Sequence, residues 1–471
     1  MYPDASKNGL NILSESDIAR LRSEFAGQVI PPGDPAYDAG RVLFYGGFEN
    51  RRPAVIIRAA SDQDVARAVS LARETGLPLA VRSGGHSPAG LSLIDGGILL
   101  DLKGLNNLHI DPEGRTAWAE SGLTTGEYTS AAAEYGLATG FGDTGTVGIG
   151  GLTLGGGVGY LVRKYGLTID NLLAADLVTA DGQLLRVDSG NHPDLFWAIR
   201  GGGGNFGVVT RFLFRLQEVP SMLGGLLVLP ATAETLAGFV DAASSAPEEL
   251  STIANVMVAP PMPFLPPELT GQLVILGILA YAGPVEEGEK ALAPFRALAK
   301  PLADMVRPIR YTDLFMPEEG DYHPAAASRN LYVDRIGREE AERIIDNLQA
   351  SDAPFRVAQV RVLGGAAARV PVEATAYPHR QAPIMVNLAA FYNGPEERAA
   401  REAWVEDFAR SLNQGYLGSY VNFLGIEGEG RAQVAYPGPT WDRLVAVKRR
   451  YDPENLFRGN HNVPPDGAGP A

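Results

Sequence analysis

Between Gly140 and Gly166 the chain returns to glycine at Gly142, Gly145, Gly148, Gly150, Gly151, Gly155, Gly156, Gly157 and Gly159. A flexible linker would surround such a run with Ser and charged residues. Here the interleaved positions are Val147, Ile149, Leu152, Leu154, Val158 and Leu161. Apolar residues set between glycines describe ordered backbone that comes very close to something. No other stretch restricts the fold as strongly.

A second glycine feature lies upstream, in LAVRSGGHSPAG over 79–90. Leu79, Ala80 and Val81 read as a buried strand, and Gly84 and Gly85 turn the chain so that His86 follows directly. Glycines tolerate the positive φ angles that a Cβ forbids, so their N–H groups can converge on one point. Such a nest holds an anion without a lysine. An imidazole beside a phosphate cradle suggests a nucleotide cofactor whose reactive ring lies within reach of His86; the alternative on this stretch alone is a glycine turn with an ordinary surface histidine.

Composition removes several alternatives. Forty Lys and Arg against 55 Asp and Glu give a net charge of −15, the wrong sign for a nucleic-acid footprint. The absence of cysteine excludes disulfides, thiolate metal sites, iron–sulfur clusters and a cysteine nucleophile. The six histidines are scattered and no H-E-x-x-H occurs, so no metal site is expected. Neither a P-loop nor the dinucleotide fingerprint is present: counting from Gly148 the sixth position is Thr153, and from Gly155 it is Tyr160. The opening MYPDASKNGLNILSESD lacks a basic start and an apolar core, and no apolar run is long enough to cross a membrane. The expectation is a cytoplasmic protein with no membrane partner. At 471 residues the chain should hold two or three domains.

Local patterns place the motifs. Residues 15–25 predict a short helix. Ala54–Arg58 and Pro78–Arg82 predict strands around a helix that Ser61 caps, Asp64 completing a capping box and Gly76 ending it. Gly97–Leu102, Thr116–Glu120 and Val208–Arg215 read as further strands, and Thr125–Tyr135 as a helix. Leu173–Thr179 and Gln183–Val187 form a hairpin about Asp181–Gly182. Beyond Glu218 the character changes, with helices predicted at Thr232–Ala243, Val285–Ala299, Arg338–Gln349 and Pro395–Leu412. Between them run strands such as Gly271–Ala282, Val357–Leu363 and Ile384–Phe391. The helix from Trp441 stops at Pro453, and Leu456, Phe457 and Val463 argue for a docked tail that carries Asn460 and Asn462.

Four blocks occur in order: RSGGHS at 82–87, the glycine segment running to GLTIDNL at 166–172, DLFWAIRGGGGNFGVVT at 194–210 and RRYDPENLFRGNHNVPP at 449–465. The chain resembles the berberine-bridge-enzyme-like branch of FAD-linked oxidases, within the vanillyl-alcohol oxidase/PCMH-type flavoprotein superfamily. The resemblance implies an α+β protein. A PCMH-type FAD-binding domain of two small α/β subdomains would span 1–218 and 426–471, with its core at about 49–218. A substrate-binding domain over 219–425 would be an antiparallel sheet covered by helices. It implies FAD contacts from Arg82, Ser83, Gly84, Gly85, His86 and Ser87, and from Thr144, Val147, Gly148 and Gly151. Gly155, Gly156 and Gly159 would keep backbone close to the cofactor. Val208 would lie by the adenine, and Asn422, Asn460 and Asn462 near the ring system. In this family the residue matching His86 is bonded to the flavin 8α carbon. Thr144 stands where many members carry a second, cysteinyl link, so a single covalent bond is implied.

The resemblance also implies oxidation of a small-molecule alcohol, amine or phenol by hydride transfer, with O2 reduced to H2O2. Val147 matches the oxygen-reactive members. A dehydrogenase or cyclase of natural-product metabolism, or a non-catalytic FAD-binding relative, is the alternative. Plant members end a Y-x-N-Y stretch in the tyrosine base, where this chain has Phe423, so Tyr420, Tyr377, Tyr160 and His379 become the candidates for that role. Alternation along Val357–Leu363 puts Gln359 and Arg361 on one face and Ala358, Val360 and Val362 on the other. With the first face over the flavin, Arg361 would favour an anionic or carbonyl-bearing substrate.

Overall fold

The computed structural model describes residues 13–219, 221–315, 323–426 and 430–467. The first twelve residues, read above for a leader, lie outside the described residues. In the first of three main sheets, Val55–Arg58 and Leu79–Arg82 lie on either side of Ile98–Asp101, both parallel to it, and Gln28–Ile30 adds an antiparallel edge. The helix Asp62–Thr75 joins the two flanking strands and ends at Gly76 with φ +69°. Its apolar stripe packs Val65, Ala68, Val69 and Ala72 against Val55, Ile57, Ile98 and Leu100. The expected capping box is only half formed. Ser61 Oγ accepts from the Asp64 N–H, but the Asp64 carboxylate accepts from the N–H groups of Ala26, Gly27 and Ala60. Three donors satisfy it better than one, and this ties the preceding loop to the helix start.

The second sheet is antiparallel, in the order Leu108–Asp111, Thr116–Glu120, Val208–Arg215, Leu172–Val178, Leu184–Asp188. The last two strands turn through Asp181 and Gly182, the latter at φ +84°. A third sheet of eight strands carries the rest, its main path running Ala303–Asp304, Met222–Pro230, Leu273–Tyr281, Leu250–Val258, Arg356–Val362, Ile384–Tyr392, Ala325–Val333. Every pairing within it is antiparallel. Strand alternation divides its residues. Leu227, Ala254, Val256, Ala358, Val360, Val362, Val386 and Leu388 form one core with the helices Ala233–Ser245, Val285–Ala297, Arg338–Ala350 and Arg398–Leu412. The other face looks toward the glycine segments. The protein is α+β, as expected, with helices covering one face of an antiparallel sheet.

Two buried arginines hold this sheet against the rest. Arg163 donates to the carbonyls of Ala243, Ala246 and Leu363 at 2.8–3.1 Å. Arg380 makes a two-pronged contact with Asp170 at 2.7 Å, its own side chain fully buried. A desolvated ion pair of this geometry is strongly destabilised when one partner is removed, because the other charge is left buried alone. The result is a fixed wall over the glycine segments.

Candidate active site

The close approach announced by the glycines is, first, chain against chain. The Gly84 turn and the Gly148 turn cross so tightly that a Cβ on either would lie 2.2 Å from the backbone nitrogen of the other. Ser83 Oγ stitches the crossing, donating to Ser121 O at 2.6 Å and accepting from Gly150 N–H at 3.2 Å. Gly148 then caps the helix Ile149–Gly155. One turn into that helix, Gly151 differs from its neighbours: a Cβ there would meet nothing within 4 Å and would enter a cavity.

That cavity has a volume of about 730 Å³, within the range of ligand sites. It runs from an apolar end at Leu79, Leu102, Val208 and Phe457, along both glycine turns, to the polar face of the large sheet. The C-terminal tail closes one side. Lys448 and Asp452, both fully buried, pair at 2.7 Å; Lys448 also donates to the carbonyls of Asn205 and Phe457. Asp452 accepts from the N–H groups of Leu456 and Phe457, and Asn205 from that of Val463. These bonds present Asn460 and His461 to the cavity. Asn460 donates to the carbonyls of Gly204 and Phe457, while its buried Oδ1 has no donor among the described residues.

His86 lines the middle of the cavity. Its ring stacks on Phe44 at 4.2 Å and 18°, and Nε2 lies 3.1 Å from the Thr146 hydroxyl. The Thr146 backbone also hydrogen-bonds the ring. Burial pushes the imidazole down to about 4, so the ring is neutral near pH 7 and keeps a lone pair. A fixed, neutral imidazole in the cavity wall is chemically a nucleophile or a hydrogen-bonding group.

At the sheet end, Val357, Gln359 and Arg361 face the cavity while the intervening residues pack on the helices. Arg361 gives Nε and Nη2 to Gln359 Oε1 at 3.0 and 2.7 Å, and Nη2 also to the Asp143 carboxylate. Gln359 Nε2 donates to Asn255 Oδ1 at 2.9 Å across the strand pair. The Phe423 ring lies 5.6 Å below the guanidinium. Sequence reasoning missed Asp143. It sits 218 positions from its partner, and its one local signal was its place inside the G-D-T-G-T-V-G turn.

Several expectations are corrected. Arg82 does not face the cavity: its buried guanidinium turns back to Asp101 Oδ2 at 2.9 Å and to the carbonyls of Gly40 and Val42, anchoring the strand from which the turn leaves. Gly155, Gly156 and Gly159 are close to protein. A Cβ on them would strike Asn422, Tyr377 and Tyr420, or the Phe141 carbonyl. Asn462 does not line the cavity; Asn422 does, with its amide nitrogen donating to Leu152 O and Tyr420 Oη. Tyr420 reaches the wall, but its hydroxyl accepts from Gly157 N–H at 2.8 Å and from Asn422 at 2.9 Å. Burial raises it to about 12, which makes it a poor base at neutral pH and a good clamp for the glycine segment. Tyr377 is bonded to Tyr332, and His379 lies between Tyr416 Oη and Ala435 O, both away from the cavity. Tyr160 is outside the lining as well. The charge of Arg361, expected to favour an anionic or carbonyl-bearing substrate, is already met by Asp143. Ser83, Gly84, Gly85, Ser87, Thr144, Val147, Gly148, Gly151, Val208 and Asn460 do line the cavity.

A glycine-cradled cavity roofed by an antiparallel sheet defines a protein that holds a large nucleotide cofactor against a small-molecule chamber. Comparison with known proteins specifies the group. A family model described as FAD binding domain matches residues 53–188, and one described as berberine and berberine like matches 419–464. The (R)-6-hydroxynicotine oxidase of Paenarthrobacter nicotinovorans is 34% identical over 459 residues, covering 94% of this chain and 97% of the relative. The crystal structure of 6-hydroxy-D-nicotine oxidase from Arthrobacter nicotinovorans superposes with a TM-score of 0.82 at 30% identity, over 94% of this chain and 98% of that one. Phl p 4.0202, a glucose dehydrogenase, shares the fold with a TM-score of 0.83 at 23% identity, over 96% of this chain and 99% of that one. The chain belongs to the berberine-bridge-enzyme-like family of FAD-linked oxidoreductases. The open Gly151 cradle, the converging turns and the unmatched Asn460 Oδ1 fit FAD.

Proposed function

We propose that this chain is an oxidase that binds FAD through a single covalent link at His86 and oxidises a small polar molecule under the large sheet. The observation that carries the reading is the state of His86: stacked on Phe44, held by Thr146 and neutral, in the wall of the cavity. When bound, FAD supplies the two-electron acceptor, which dioxygen reoxidises with release of hydrogen peroxide. The protein's part is positioning. Ser83, Gly84, Gly85 and Ser87 would hold one side of the cofactor, Thr144, Val147, Gly148 and Gly151 the other, and Val208 and Asn460 its two ends.

Thr144 stands where a second, cysteinyl anchor would have to be, so His86 carries the link alone. The 1–218 and 426–471 segments form the FAD-binding part in this reading, with 219–425 above the substrate. Gln359, held by Asn255, fixes Arg361, and the Arg361–Asp143 pair meets the polar end of the substrate. The nicotine-derivative oxidases among the relatives favour an amine over a sugar. Val147 in the wall supports oxygen as acceptor, since its side chain is one methylene shorter than leucine. Acid-precipitated protein should stay yellow, and one tryptic flavopeptide should contain His86. Colour released wholly into the supernatant refutes the covalent link.

A further inference from the structure

Among the described residues, Asp143 and Arg361 are the only charged side chains that line the cavity, and they neutralise each other. The histidines in the wall add no charge, since burial lowers both His86 and His461 to about 4. The pair is only partly used up. Arg361 spends Nε and Nη2 on Gln359 and Asp143, and its Nη1 has no partner among the described residues. Asp143 gives Oδ2 to Arg361, and Oδ1 has only the Thr144 hydroxyl at 3.5 Å. One free donor and one free acceptor therefore stand side by side. Asn255, through Gln359, keeps the guanidinium from swinging away. Beside them the wall turns apolar at the Phe423 ring, 5.6 Å from the guanidinium, and Phe355 and Phe391 line the cavity six residues further along the two strands.

We propose that the Asp143–Arg361 pair is a specificity device for an uncharged head group that both donates and accepts hydrogen bonds, carried on an apolar ring or chain. The inference rests on this cavity being the substrate site of the proposed FAD enzyme. A neutral amide, lactam or hydroxyl gains charge-assisted bonds from both partners without adding net charge. A carboxylate or an ammonium brings a charge whose counter-ion is already taken, and an unpaired charge in a desolvated wall is costly. A basic amine is therefore taken as its free base, the form whose nitrogen lone pair can assist loss of hydride from the adjacent carbon.

Benzamide, benzoate and benzylammonium present one ring behind a neutral, an anionic and a cationic head. Each is titrated calorimetrically into FAD-loaded protein at pH 7. Benzamide should bind at least tenfold tighter than the other two. Asp143→Asn leaves Arg361 uncompensated and should move the preference to benzoate. Arg361→Gln should move it to benzylammonium, and the double variant should restore benzamide. The wild-type ranking requires no variant to fold, and flavin absorbance reports the integrity of each variant. A wild-type preference for either ion, or a ranking that the single variants leave unmoved, overturns the proposal. Protein that holds FAD but binds none of the three refutes the head-group inference alone. Protein that holds no FAD refutes the reading beneath it.

Discussion

Gly148 and Gly151 stand three residues apart, and the same change to alanine should have opposite consequences. At Gly148 the backbone is ordinary, φ −69° and ψ 136°, so alanine meets no conformational penalty and its cost is collision alone. Its Cβ would lie 2.2 Å from Gly84 N and 2.2 Å from Ser83 Oγ, where anything under 3.0 Å forces movement. Gly84 N is backbone in a crossed turn and cannot rotate aside, so Gly148→Ala should cost at least the roughly 1–3 kcal/mol typical of overpacking. At Gly151 the methyl would enter open cavity inside a helix, where alanine in place of glycine gains up to about 1 kcal/mol. The two variants should therefore differ in stability by roughly 2–4 kcal/mol. The assay is urea unfolding of flavin-free protein in a His86→Ala background, followed by FAD titration. Gly151→Ala should unfold at or above the parent midpoint and bind FAD about tenfold more weakly, roughly 1.4 kcal/mol. A Gly148→Ala protein as stable as its parent would refute the crossing. A destabilised Gly151→Ala protein with full FAD affinity would refute the cradle.

Two further outcomes are expected. Val147→Leu should slow reoxidation of the reduced enzyme by dissolved oxygen, seen by stopped-flow absorbance, and leave the rate of flavin reduction unchanged; equal reoxidation rates would remove Val147 from the oxygen path. His379 is buried, donates from Nε2 to Ala435 O, accepts at Nδ1 from Tyr416, and is lowered to about 4 by burial. Because the unfolded chain then binds the extra proton first, its contribution to stability is present above about pH 6.5 and is lost as pH falls toward 4. The thermal midpoint should fall across that window, and His379→Gln should flatten the slope; an unchanged slope would assign the acid sensitivity to other groups.

Much of the fold was legible from local chemistry. A cap, an apolar stripe and a terminating glycine are events within one turn of chain, so the helix Asp62–Thr75 and the Asp181–Gly182 hairpin could be read directly. Period-two alternation likewise separated the face of Gln359 and Arg361 from that of Ala358, Val360 and Val362. The strands Met222–Pro230, Leu250–Val258 and Ala325–Val333 were not singled out. The first is an apolar run broken only by two glycines, the second mixes Ser251, Thr252 and Asn255 with apolar residues out of alternation, and the third opens on three alanines, patterns whose burial on one or both faces depends on neighbours far along the chain.

By itself, the sequence determined that the backbone near Gly84 and Gly148 is tightly approached, that His86 directly follows a two-glycine turn, and that no cysteine can serve as a second anchor. Only the tertiary structure decided what does the approaching. Gly84 meets Gly148, Gly155 meets Asn422, and Gly159 meets the Phe141 carbonyl, whereas Gly151 alone of this group opens on the cavity. It also decided that Arg82 turns away, that Tyr420 is a clamp, and that Arg361 is paired with Asp143. The physical reason is the range of the forces. Propensity, capping and alternation act over a few residues and leave their mark in the sequence. The partner of a charge, and the surface that faces a missing Cβ, are set by chains that meet only after folding.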